Sequence, residues 1–157
     1  MYRLTGKKYL KFFFIVSTVY LLLITIFKGQ KGSEFDTTTI SSFQIISHNF
    51  VLFLKWQFLF ILSPIYFIFE TLVLSWTIKI GIITFGLLPA IDKLWRHGLI
   101  EIPNLFLYQF LALRLFYYWW KNKSFVIIKE YVNENKKNYL LSMLLIVGAG
   151  IVEGIAW

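Results

Sequence analysis

The stretch "FVLFLKWQFLFILSPIYFIFETLVLSW", Phe50 to Trp76, decides the fold class. Only Lys55 and Glu70 carry charge within it, and almost every other side chain is aliphatic or aromatic. A soluble domain must cover its surface with polar groups, and this tract supplies almost none. The rest of the chain repeats the pattern: of 157 residues 58% are hydrophobic and 20% aromatic, and the mean hydropathy is +0.67. The reading is an all-α, polytopic transmembrane helical bundle forming a single integral membrane domain over residues 1–157.

A helix rises about 1.5 Å per residue, so a hydrocarbon layer of about 30 Å needs about 20 residues to cross. Outward from the quoted tract, five stretches approach that length: 10–27, 43–62, 65–88, 98–120 and 139–157. Pro64 lacks an amide proton and disfavours helical geometry at Ser63, so the second span should break or turn there. The second and third spans then either cross in full or form a re-entrant hairpin. The first 27 residues look like a signal peptide, but "FKGQKGSEF" lacks a small-x-small cleavage site, so a retained first span is expected. "PAIDKLWRHG", residues 89–98, reads as a polar turn. Residues 124–136 read as an amphipathic cytoplasmic helix with Phe125, Ile128 and Val132 on its apolar face.

The net charge of +8 marks topology rather than a nucleic-acid surface, because the basic residues flank apolar spans instead of alternating with aromatics in a patch. With residue 1 inside, five crossings put Arg3, Lys7, Lys8, Lys11, Lys121, Lys123, Lys129, Lys136 and Lys137 in the cytoplasm. The outer side receives Lys28, Lys31, Lys93 and Arg96, partly balanced by Glu34, Asp36 and Asp92. The positive-inside rule therefore predicts N-in and C-out. The cluster "FYYWW", ending at Trp120, marks an interface. The sequence contains no cysteine, which excludes disulfides and thiolate chemistry. No Walker-type phosphate loop is present either, so any energy input must come from a partner.

Ionisable groups inside spans cost about 2.5–3.5 kcal/mol on insertion scales and are normally paired, buried or wet. Here they are Lys55, Glu70, Lys79, His97, Glu101, Arg114 and Glu153, accompanied by Asn49, Asn104 and Gln109. His97 and Glu101 stand at i and i+4 and share a helix face, where they can hold a metal, a proton or a hydrogen-bond partner, or simply pack. Glu153 should lie at the same depth, which makes a His97, Glu101 and Glu153 cluster geometrically feasible. Glu70 and Lys79 are nine residues apart and wrongly phased for a direct pair. Lys55 is expected to snorkel. Arg114 is expected at the interface or on a lipid phosphate. Gly148, Gly150 and Gly154 are small enough for close helix contact.

"HGLIEIPNLFLYQFLALRL" (97–115) followed by "LLIVGAGIVEGIAW" (144–157) resembles the stage II sporulation protein M family of multi-pass membrane proteins. "ISHNFVLFL" (46–54) looks like that family's Asn-containing helix start, and "FETLVLSWTIKIG" (69–81) stands where members often carry Asn-Gly, replaced here by Glu70-Thr71. The resemblance covers about residues 43–157 and implies that Asn49, His97, Glu101, Arg114 and Glu153 occupy the family's polar positions, converging in one interior site. It further implies one of two settings in a Gram-positive cell membrane. One is a septal scaffold in sporulation cell-wall remodelling. The other is circular bacteriocin maturation, export or producer immunity, with a hydrophobic bacteriocin precursor as peptide partner and an ATPase and other membrane subunits as co-workers. An enzymatic alternative remains: His97, Glu101 and Glu153 can ligate a divalent metal such as zinc, leaving a position for water in a membrane-embedded peptidase or cyclase.

Overall fold

The computed structural model of the protein describes residues 4–29 and 42–155, with the side chains at 93–97 and 153–155 outside that description. Among the described residues every regular element is helical. They are α1 (Gly6–Ile26), α2 (Ser42–Phe58), a single 3-10 turn (Phe60–Leu62), α3 (Ser63–Phe85), α4 (Leu87–Asn122) and α5 (Val126–Ile155). Among the described residues three stretches are long and apolar enough to cross a membrane: Gly6–Ile26, Phe60–Phe85 and Gly98–Asn122. α2, at 17 residues, is shorter than a full crossing, and α5 carries Lys129, Glu130, Glu134, Lys136 and Lys137 in its first half.

Local chemistry sets the boundaries, and in three places it departs from the sequence reading. The chain does turn near Pro64, but the turn occupies 59–62, and Ser63 is already helical. Proline is compatible with a first helical turn because the amide it lacks would have no intrahelical acceptor there. The expected polar turn over 89–98 is instead part of α4. Gly86 alone separates α3 from α4, at φ 88° and ψ 165°, a region that L side chains rarely enter. Pro89 then falls in the first turn of α4, where it is tolerated, and the charges of "DKLWR" interrupt apolarity without interrupting the helix. The expected separation of an amphipathic helix from the last span is also absent, because residues 126–155 form one helix. Its buried stripe is Ile127, Tyr131, Asn135, Ser142, Ile146 and Ala149, whereas Phe125 and Val132 are exposed.

α4 is the central element and contacts all the other helices. It forms an antiparallel hairpin with α5 through Lys123, which adopts the left-handed conformation at the α4 C-cap. Pairings fix the remaining directions. Phe12 stacks on Phe110 and Tyr20 on Phe106 from α1, while Phe60 meets Trp119 edge-on. α2 runs parallel to α4, because Asn49 meets Glu101 and Gln57 meets Tyr108. α1, α3 and α5 run the opposite way.

Burial is inverted relative to a soluble protein. Gln109, Asn135 and Ser142 are 0% exposed, while Phe58 is 77% exposed and Ile26 70%. An apolar exterior with polar groups bonded inside an aromatic and aliphatic core is the arrangement that lipid demands, since polar groups cannot be satisfied by acyl chains.

Candidate functional site

The polar side chains of the interior form three levels along α4. The first lies at Glu101. Asn49 Nδ2, on α2, donates to Glu101 Oε1, and three residues along the same face of α4 the buried Asn104 accepts from Ser142 Oγ of α5 at 2.6 Å. Residues i and i+3 share a helix face, so this level ties α2, α4 and α5 together. Gly150 contributes here: it lies against Ile46 and the Ser42 carbonyl, allowing α5 to approach α2 closely.

The second level lies at Glu70. Its Oε2 accepts from Trp56 Nε1 and from Gln109 Nε2, both at 3.2 Å. Gln57 Nε2 donates to the Tyr108 carbonyl at 3.0 Å. α2, α3 and α4 are thereby joined through a carboxylate held by neutral donors. The expectation that Glu70 must find a partner other than Lys79 is met by an indole and an amide. Lys79 lies at the other end of α3, beside Gly29. Lys55 is exposed with its ammonium 4.8 Å from the Tyr66 ring centre.

The third level belongs to the basic end. Arg114 Nη2 donates to the Tyr118 hydroxyl, and the guanidinium lies over the Phe110 and Tyr118 rings. The wholly buried Asn135 accepts the Leu4 amide at 2.7 Å and donates to the Tyr131 carbonyl at 2.9 Å. This clasp brings the start of α1 to the α4–α5 turn.

The structure therefore brings Asn49, Glu101 and Asn104 together, with Glu70 on a separate level. Arg114 lies 13 residues along α4 from Glu101, about 20 Å away at helical rise, and does not share its site. The side chains of His97 and Glu153 lie outside the described residues, so the proposed triad is represented only by Glu101. Among the described residues no group of three His, Cys, Asp or Glu side chains is placed to hold a metal. One Glu101 oxygen is engaged by Asn49, and the Ser142 hydroxyl on that level is bonded to an amide oxygen rather than to a base. This level fits a hydrogen-bonding role better than an activated nucleophile.

Sequence reasoning missed Trp56, Ser142 and Asn135. Trp56 reads as apolar, and its indole N–H acquires a role only when the fold brings Glu70 within reach. Asn135 hides in the polar run "NENKKN", although its spacing of four from Tyr131 places both on the buried stripe.

No family model, no curated protein and no solved structure matches the chain.

Proposed function

We propose that this protein is a five-span component of the cell membrane of a Gram-positive bacterium, similar to the stage II sporulation protein M family. In this reading it receives a hydrophobic circular bacteriocin precursor within its bundle and serves maturation, export or producer protection together with an ATPase and other membrane subunits. The observation that carries the reading is the ladder of hydrogen-bonding groups on α4, at Glu101, Asn104 and Gln109, inside an otherwise apolar shell. In this reading a peptide that enters the bundle exchanges these inter-helix bonds for bonds to its own backbone, where lipid offers none. The absence of any nucleotide loop assigns the energy source to a partner. Purification of the tagged protein from its native host in lipid-like conditions is expected to recover an ATPase and membrane subunits. Recovery of the protein alone would count against the assignment.

The orientation proposed is N-in and C-out. Its support is the Leu4–Asn135 bond, which gathers Lys7, Lys8 and Lys11 at the same end as Lys121, Lys123, Lys129, Lys136 and Lys137. Because the native chain has no cysteine, single-cysteine variants are clean probes. In intact cells a membrane-impermeant maleimide is expected to label Lys28→Cys and to spare Lys8→Cys and Lys136→Cys. Labelling of Lys136→Cys together with Lys28→Cys would refute five alternating crossings.

A further inference from the structure

We propose that Arg114 and Tyr131 form a binding site for a phosphate oxyanion, supplied by a phospholipid headgroup, at the basic end of the bundle. The Arg114 guanidinium is a planar fork of hydrogen-bond donors. Its Nη2 is engaged by Tyr118, but Nη1 is buried without a hydrogen-bond partner, and no carboxylate of the described residues bonds to it. A buried guanidinium N–H without an acceptor is costly, and an anion is one remedy. Tyr131, on the facing helix, is 0% exposed and its hydroxyl also lacks a partner. The two groups are neighbours: the Tyr118 ring that Arg114 overlies has its centre 5.8 Å from that of Tyr131, close enough for Tyr131 to feel the Arg114 charge. A guanidinium fork and a phenol proton, both unsatisfied and both donors, are the complement of a tetrahedral oxyanion.

Depth identifies the source of the anion. With Tyr131 beside Tyr118 and Ser142 bonded to Asn104, the exposed Lys129, Glu130, Glu134, Lys136 and Lys137 of α5 lie level with about residues 110–119 of α4. Charges so placed require water or headgroups around them, so the headgroup layer reaches down α4 as far as Arg114. The oxyanion abundant at that depth is the phosphodiester of the lipids themselves. Arg114 as a whole is partly exposed, although its Nη1 is buried.

The inference rests on the basic end lying at the headgroups, as proposed above, and not on the peptide. Cysteine labelling tests the orientation and lipid retention tests the site. The full chain in detergent is mixed with phosphatidylglycerol, with diacylglycerol as a phosphate-free control, and examined by native mass spectrometry. One phosphatidylglycerol and no diacylglycerol should be retained. Arg114→Gln should lower occupancy at least about tenfold and Tyr131→Phe about threefold. A combined Lys129→Gln, Lys136→Gln and Lys137→Gln variant should stay within about twofold of the parent. Should Arg114→Gln fail to fold, Tyr131→Phe, which removes one hydroxyl, carries the test. A thermal shift with inorganic phosphate that Arg114→Gln abolishes, without lipid retention, would keep the oxyanion site and make its source free phosphate. Undiminished lipid retention in both Arg114→Gln and Tyr131→Phe would overturn the site.

Discussion

Trp56→Ala is expected to destabilise the bundle in detergent by about 2–4 kcal/mol, read as a fall in the thermal-unfolding midpoint. Trp56 is 1% exposed and stands where α2, α3 and α4 meet, with the Tyr66 and Tyr108 ring centres at 6.2 and 6.4 Å. In water the loss of a buried indole costs about 3–5 kcal/mol, part of it the transfer of apolar surface. In a micelle much of that part disappears, because an indole freed from the bundle meets alkyl chains. What remains is the cavity and the loss of one of the two donors on Glu70. Trp56→Phe separates the two, because it keeps a ring but deletes the N–H, and should cost about 1–2 kcal/mol. An alanine variant melting with the parent would mean that the three-helix junction contributes little to the fold.

Gly150→Leu should be at least as damaging, because the obstacle includes backbone. A Cβ at position 150 would fall 2.3 Å from Ile46 Cγ1 and 3.2 Å from the Ser42 carbonyl oxygen. Cγ1 is near the root of a β-branched side chain and cannot swing clear as the tip of a long one can. Alanine forces a local shift costing about 1–3 kcal/mol, and leucine must push α2 away from α5. Gly148 supplies the control. Its added Cβ would meet nothing within 4 Å, so Gly148→Ala should be neutral or gain up to about 1 kcal/mol from helix propensity. If both alanine variants unfold alike, close α2–α5 contact is not what position 150 provides.

The contrast between Gly148 and Gly150 also indicates what a single sequence can reveal. Composition and the lengths of the apolar runs were enough for an all-helical membrane chain. The cost of placing Glu101 and Asn49 in such runs was enough to single them out, though nothing local says that they bond to each other across 52 residues. Which glycine lies at a helix contact depends on the rotation of α5 about its axis, and that is set by distant packing. The boundaries failed where polarity and backbone geometry part company. Asp92, Lys93 and Arg96 suggest a turn, yet the backbone over 87–122 is one helix, and the reversal needs only Gly86. For the same reason Asn135 passed for a surface residue. An amide side chain is equally at home in water or bonded to backbone, and only the approach of Leu4 decides between them.

The Leu4–Asn135 clasp has a bearing on biogenesis. Its partners are 131 positions apart, so the ribosome must deliver all of that intervening chain before the bond can close. At about 5–20 residues per second the opening helix waits on the order of 10 s in the bilayer with its starting amide unclaimed. The docking of α1 on α3 and α4, both made before α5, does not wait for it, so the clasp closes on a helix already in place. A nascent chain arrested before α5 should hold α1 on α3 and α4 while leaving the Leu4 amide without its acceptor.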